Sequence, residues 1–500
     1  MLDKRYKPNL SLDEARSISD GFLTIPISIE LSHIKKQPSE VFLILKAQSK
    51  RCFILESLED KGARGRYTIL SYDPILGIDC LNGDLVIRGV TDIKIDTKNP
   101  AAYIKKIISE NKSPKINGAP PFAGGLVGYF AYDYIKYAEP TLSLDAPDEE
   151  KFKDFDLMMF DKVITYDHVT NKVILTISVK TKDLNENYVK AINELESMIR
   201  LVENGIPAKL PPLIIKSKFQ RLFNKEQYVQ MVIKAKKHIF EGDIFQVVLS
   251  NRMSASAVGS LFETYLELRQ SNPSPYMFYF SSDDIEIAGA SPETLVKVTE
   301  NKAFTYPLAG TRKRGKDQEE DEFLEKELLS DEKELAEHNM LVDLGRNDIG
   351  KISKFGSVKV EKYLAIEKFS HVMHIGSAVS GEMLENLSAI DAIEAVLPAG
   401  TLSGAPKIRA CEIINKLENN KRGIYGGAIG YISFSGDADT CIAIRIAFKK
   451  NNKVFIRSGA GIVADSVPEK EYEECENKAK AVFNALIKNQ NIGDTNDFVD

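Results

Sequence analysis

Two glutamates, Glu337 and Glu474, fall in stretches with helical patterning. A facing pair of carboxylates is what a hard divalent cation such as Mg²⁺ takes, and it leaves coordination places for a substrate carboxylate and water. Taken singly, each reads as ordinary solvated surface. Gly459-Ala-Gly-Ile-Val-Ala464 has the GxGxxA form of a dinucleotide loop, but a single helix follows it, without the further strand and acidic residue that such a cofactor requires. What survives is its physical content: glycines let backbone N–H groups approach an anion closely. Gly400-Thr-Leu-Ser-Gly-Ala-Pro-Lys407 lacks the ending of a nucleotide loop and fits a tight turn, ligand-facing or structural. His371 and His374 stand three apart, a spacing that serves packing more often than catalysis. Gln246 interrupts the otherwise apolar run Ile244-Phe-Gln-Val-Val-Leu-Ser250, a strand buried on both faces, so its amide must find a partner.

The elements that must hold these residues are legible in part. Ser330 to Asp348 reads as a helix, with Asp331 and Glu334 at capping spacing ahead of Glu337, His338 and Leu341. Pro468 opens a last helix with Tyr472, Cys475, Ala479, Val482, Phe483 and Leu486 on one stripe and Glu471, Glu474 and Lys478 on another. Asn224 and Gln227 cap a third, which Gly242 ends. The first third of the chain alternates β-rich runs (Val41 to Leu45, Cys52 to Leu55, Tyr67 to Ser71, Lys172 to Val179) with turn residues. Three prolines between Gly205 and Pro212 mark a boundary. The expected division is an N-terminal region over 15–204, a linker over 205–220, a second domain over 221–488 and a flexible tail over 489–500. Strands do not simply alternate with helices, so an α+β layered fold is expected over a doubly wound one.

With 28% charged and 43% hydrophobic residues, the composition is that of a soluble globular protein, and a formal charge of −6 argues against general nucleic-acid binding. No apolar run has the length of a signal peptide or membrane helix, so a cytoplasmic protein without membrane or nucleic-acid partners is expected. The five cysteines show no CxxC pair and suggest neither zinc nor a disulfide framework.

From about Phe22 to Leu486 the chain resembles the chorismate-utilising enzyme family, in its anthranilate synthase component I branch. The resemblance is carried by Phe53-Ile-Leu-Glu-Ser57, Gly65-Arg-Tyr-Thr, the Gly124 run with Tyr132-Asp133, Gly242-Asp-Ile-Phe-Gln-Val-Val, Asn272-Pro-Ser-Pro-Tyr-Met277, Ala290-Ser-Pro-Glu293 and Pro307-Leu-Ala-Gly-Thr311. It continues through Ala336-Glu-His, Leu341-Val-Asp, Arg346-Asn-Asp, the Gly400 turn, Tyr425-Gly-Gly, Ile444-Arg445, Gly459-Ala-Gly461 and Glu474 to Lys478.

The resemblance implies two stacked, antiparallel-rich sheets flanked by helices, an α/β/β/α layering with chorismate bound in the 221–488 domain. It implies that Glu337 and Glu474 hold Mg²⁺, and that Gly310, Thr311, Tyr425, Arg445, Gly459, Ala460, Gly461 and Lys478 surround the substrate. Arg445 and the backbone donors would meet one carboxylate and the metal the other. Glu293 is implied as the general acid for a departing hydroxyl, His374 as the histidine of the pyruvate-eliminating half, and Thr401 as an orienting group. Branches that use water carry a lysine at the position of Gln246, and aminodeoxychorismate-forming branches carry a nucleophilic lysine at that of Ala309; both substitutions point to direct amination and anthranilate. Leu55, Glu56, Ser57, Pro275, Tyr276 and Met277 resemble a feedback site for L-tryptophan, which makes 15–204 a regulatory region. A separate glutamine amidotransferase subunit is the implied ammonia source, in a heterodimer or heterotetramer. The competing expectations are aminodeoxychorismate synthesis and a non-catalytic tryptophan-binding subunit.

Overall fold

The computed structural model describes residues 6–32, 34–58, 65–368 and 372–488; the expected tail over 489–500 and His371 lie outside the described residues. Among the described residues the strands form two large sheets, of thirteen and twelve strands. The ladders that frame the site are antiparallel. Between the sheets lies an aromatic core that draws Phe53, Phe278 and Phe455 from the first sheet and Tyr129, Phe160 and Tyr431 from the second. The rings meet edge to face, as Phe53 and Phe160 do at 4.9 Å between centroids, a geometry that adds about 1 kcal/mol beyond simple burial. Each outer face is covered by helices over its own apolar core. The period-two alternation of strands builds these layers: Phe53 belongs to the inter-sheet core, while its neighbour Ile54 belongs to the helix-covered one. The expected α+β layering of helix, sheet, sheet and helix is what the chain adopts.

The strands from the two ends of the chain are interleaved. Cys52–Glu56 pairs with Tyr276–Ser281 in the first sheet, and Gly125–Phe130 pairs with Ala428–Ser433 in the second. The proline-rich boundary segment packs as well: Leu213 and Phe219 are buried, and Ile214–Ile215 and Gln220–Arg221 both pair with the long strand Gln246–Val258.

The capped helices form as their sequence signals require. Asn224 caps Lys225–Phe240 in a capping box with Gln227, and Asp331 accepts from Lys333 and Glu334 at the start of Glu332–Gly350. Pro468–Ile487 opens with its proline. The run Val41 to Leu45, expected as a strand, lies instead in the helix Pro38–Gln48. Pro38 in its first turn and Glu40 bonded back to Gln37 nucleate it, and Val41, Phe42, Ile44 and Leu45 are all buried, so no helical period shows in the sequence. The strand expected over Ile244 to Ser250 runs as far as Val258. No helix among the described residues is long and apolar enough to cross a membrane.

Candidate active site

The chain crosses between the sheets at two bends that carry chemistry. Pro292 and Glu293 join the strand Glu286–Ser291 of the first sheet to Thr294–Thr299 of the second. Ala443, Ile444 and Arg445 join Ala438–Ile442 of the second to Ile446–Lys450 of the first. Glu293 and Arg445 line one cavity of about 570 Å³, whose wall is completed by the helices Glu332–Gly350 and Pro468–Ile487. Arg445 holds φ +51°, the left-handed region. A non-glycine residue there is strained, and such strain gathers where a side chain must be aimed at a site.

Burial pushes the Glu293 carboxyl up to about 7; a hydrogen bond from Thr401 and the charges of Lys478 and Arg445 oppose that rise without cancelling it. Thr401, on the short turn Gly400–Leu402, donates its hydroxyl to Glu293 Oε1 at 3.0 Å. Burial pulls the Arg445 guanidinium below its ordinary value, which Glu293 partly restores; it remains a cation at any working pH.

Opposite them, the strand Leu308–Lys313 breaks register with Val372–Glu382 between Ala309 and Arg312. The bulge contains Gly310, at φ +64°, and re-aims the local backbone. His374 Nδ1 lies 2.7 Å from the Gly310 carbonyl oxygen and 3.1 Å from Thr311 Oγ1. The carbonyl can only accept, so Nδ1 carries the proton and Nε2 is the basic nitrogen. Burial lowers the His374 pKa, the Gly310 bond opposing it and Arg445 adding to it, so the ring is neutral at neutral pH.

Glu337 and Glu474 both line this cavity, as do Glu334 and Glu471, each one helical turn earlier on the same two helices. Burial, then the charge of Glu334, raises the Glu337 carboxyl, and Glu474 contributes in the same sense. Burial and Glu474 likewise raise Glu471. Half-buried carboxylates that repel one another, placed between two helices, suit a hard divalent cation. Glu474 forms an ion pair with Lys478 at 2.6 Å. The tight cluster of potential ligands among the described residues lies elsewhere, at His238, Glu241 and Asp243, where Asp243 is already paired with His238 and Arg409. From the sequence Glu334 was read as a capping partner and Glu471 as part of a helical stripe, neither as a metal ligand; their E-x-x-E spacing to Glu337 and Glu474 is the signal that could have found them.

Gly459 and Gly461 line the cavity from the strand Lys453–Ile462. A Cβ on Gly459 would stand 2.6 Å from the Leu249 carbonyl oxygen and 3.1 Å from the Tyr425 hydroxyl, so only glycine fits beside Tyr425. The Ala460 side chain packs in the apolar core with Tyr228, Leu249 and Ile462, while the role expected of this residue is that of a backbone donor between the two glycines. Strand alternation sends the side chain to the opposite face from its two glycine neighbours. Gln246 and Ala309 line the cavity too, and the Gln246 Oε1 is buried without a hydrogen-bond partner among the described residues. Behind this wall, Glu418 bridges Arg422 and Arg457 at 2.6 and 2.7 Å, all three buried. Arg422 donates to the carbonyls of Leu402 and Val248, which ties the Thr401 turn to the strand that bears Gln246.

A second cavity of about 530 Å³ is bordered by Leu55, Glu56, Ser57, Pro275, Tyr276 and Met277. Ser57 Oγ is buried with no hydrogen-bond partner among the described residues. Two of the six also engage groups on the other face of their sheet. The Glu56 carboxylate is occupied by Arg269 at 2.7 Å, Tyr265 and Thr68, and the Met277 side chain belongs to the helix-covered core. Both sit at odd steps of their strands, away from the inter-sheet space that Tyr276 and Phe278 share.

The chain matches the chorismate binding enzyme family over residues 51–484. It is 42% identical to anthranilate synthase component 1 of Acetivibrio thermocellus, over 95% of this chain and 98% of that protein. To the protein of the same name from Aquifex aeolicus it is 43% identical, over 96% and 98%. Among solved structures, anthranilate synthase component I from Streptococcus pneumoniae superposes with a TM-score of 0.73 at 40% identity, covering 85% of this chain and 93% of that one. The menaquinone-specific isochorismate synthase of Escherichia coli shares the fold at 18% identity and TM-score 0.69, over 94% and 97%. With its two stacked sheets and the cavity between their ends, the chain belongs to the chorismate binding enzyme family, in its anthranilate synthase component 1 group.

Proposed function

We propose that this chain converts chorismate and ammonia to anthranilate and pyruvate, that Mg²⁺ assists it, and that L-tryptophan inhibits it from the second cavity. The observation that carries the catalytic reading is one cavity holding an acid poised near neutrality, a buried guanidinium and opposed pairs of glutamates. Arg445 binds one substrate carboxylate, with Lys478 and the Gly459–Gly461 strand beside it. Glu337 and Glu474, supported by Glu334 and Glu471, are the residues that would hold Mg²⁺. When bound, the ion neutralises the other carboxylate.

In the first half, ammonia forms a bond to ring C2 while the C4–oxygen bond breaks and the ring double bonds shift. Hydroxide is a poor leaving group, so Glu293 delivers its proton to that oxygen, which departs as water. Thr401 keeps the carboxyl pointed into the cavity. In the second half, the C2 proton leaves, the C3–oxygen bond breaks, and pyruvate is released as the ring becomes aromatic. His374, neutral with Nε2 basic, is the group suited to take that proton. Gln246 carries an amide that cannot act as a base towards water, and Ala309 offers no nucleophile, which supports direct amination over hydration or covalent amination.

Ammonia reaches the site from a separate glutamine amidotransferase subunit, and the chain works in the cytoplasm. In the second cavity, Ser57 supplies a polar group without a hydrogen-bond partner among the described residues and Tyr276 an aromatic wall for an indole. The test is incubation of the pure chain with chorismate, Mg²⁺ and ammonium, with chromatographic identification of products. Anthranilate and pyruvate in equal amounts, lost on chelation with EDTA, are expected. Aminodeoxychorismate without pyruvate would overturn the assignment.

A further inference from the structure

The two cavities touch through a segment only a few residues long. Pro292 and Leu308 line both, Glu293 lines the catalytic cavity, and Thr294 lines the aromatic one. Thr294 Oγ1 lies 2.8 Å from the Tyr276 hydroxyl, which donates to Asp439 Oδ1 at 2.8 Å. The single phenolic proton is thus committed to the carboxylate, and Thr294 donates to the phenol oxygen. Around it the bend is pinned at two points: the Glu293 carbonyl accepts from the Ile442 amide at 2.9 Å, and the Ser291 hydroxyl donates to the Ile442 carbonyl at 2.7 Å. Immediately after Thr294 the ladder with Ala438–Ile442 slips register. A bulge at that point lets the start of the strand rotate without dragging the rest of the sheet.

Resting on the proposal that the aromatic cavity takes L-tryptophan, we infer that Thr294 is the positioning residue that carries occupancy of that cavity to Glu293. An indole packed on Tyr276 displaces the phenol, and the Thr294 hydroxyl follows its partner. The backbone between Thr294 and the rigid Pro292 turns, which takes the Glu293 carboxyl off Thr401 and out of line with the substrate. The element biased by both ligands is the Pro292–Thr294 bend, and coupling of this kind is reciprocal: chorismate must weaken tryptophan binding as much as tryptophan weakens chorismate binding.

The test compares wild type with Thr294→Val, Tyr276→Phe, the double variant and Leu308→Ala. The chain contains no tryptophan, so fluorescence of bound L-tryptophan reports effector binding directly, with and without chorismate. Inhibition is measured separately, each variant's rate at saturating tryptophan being divided by its own uninhibited rate. Thr294→Val is expected to bind tryptophan within about threefold of wild type but to lose at least roughly fivefold of the coupling, in both directions. The double variant loses no more coupling than Thr294→Val alone, because both remove the same bond. Full inhibition of Thr294→Val would overturn the inference, as would loss of coupling only in Leu308→Ala. Failure of wild type to bind tryptophan at all is a separate result, which removes the effector assignment beneath it.

Discussion

The two cavities are nearly the same size, about 570 and 530 Å³, and lie between the same pair of sheets, yet their walls differ in character. One gathers titratable groups facing inward: Glu293 and Arg445 from the two bends, His374 from a strand beside the bulge at Gly310, and four glutamates from two helices. The other draws more of its wall from strands, where Leu55, Tyr276 and Ile429 present sheet-facing side chains, with the Ser57 hydroxyl and the charged groups of Lys297, Lys362, Glu367 and Asp439 on its border. Regular strand makes a shaped receptacle at little conformational cost. Glu293 and Arg445 have been placed where the backbone passes between the sheets, which aims both into the cavity while keeping them buried.

That contrast can be broken in four ways. Glu293→Gln removes the proton donor and should lower kcat for anthranilate formation by on the order of 10³-fold, while tryptophan binding, followed by ligand fluorescence, changes little; a loss of both would show that the cavities are not separable. Glu337→Gln should weaken Mg²⁺ by on the order of 100-fold, read from the Mg²⁺ dependence of the rate, with no shift in tryptophan affinity. Ser57→Ala acts on the other side: losing one buried hydrogen bond to the effector should raise its inhibition constant about tenfold, the change falling in inhibition and not in the KM for chorismate. Unaltered inhibition would take the orphaned hydroxyl out of the effector site.

The smallest effect concerns stability. A carboxyl whose pKa is raised to about 7 holds its proton more tightly in the folded state. Stability therefore falls as pH rises from the ordinary glutamate value through about 7, by at most about 3 kcal/mol. Glu293→Gln carries no such cost and should unfold a few degrees higher than wild type at pH 8. The difference should vanish at pH 4, where both states of the wild-type chain are protonated. A catalytic group that destabilises its own fold gives this sign; a purely structural one gives the reverse.

Most of the residues that line the first cavity with titratable or polar groups were named from the sequence, but through the density of the resemblance and not through the residues themselves. Glu337 and Glu474 have the local pattern of surface charge, and nothing in their neighbourhood says that their helices converge. Ala460 was grouped with Gly459 and Gly461 as a backbone donor, and strand alternation sends its side chain the other way. Glu56 and Met277 border the second cavity, although the same alternation commits the Glu56 carboxylate to Arg269 and the Met277 side chain to the helix-covered core. The helix caps were readable because capping is a local interaction. The helix Pro38–Gln48 was not, because the unbroken apolar run Val41 to Leu45, four of its five residues buried, hides the period that distinguishes helix from strand. Pairing between distant strands left no trace at all in the linear pattern.

That last feature bears on how the molecule comes into being. The strand Gly125–Phe130 is buried at every residue, with Phe155–Phe160 on one side and Ala428–Ser433 on the other. On the ribosome its second partner emerges roughly 300 residues after it, so through most of synthesis one apolar edge stays open and competent to pair with another nascent chain. Fragments that stop short of Ala428 keep that edge permanently exposed. The N-terminal half is therefore expected to precipitate when expressed alone and to become soluble only when the remainder of the chain is co-expressed with it.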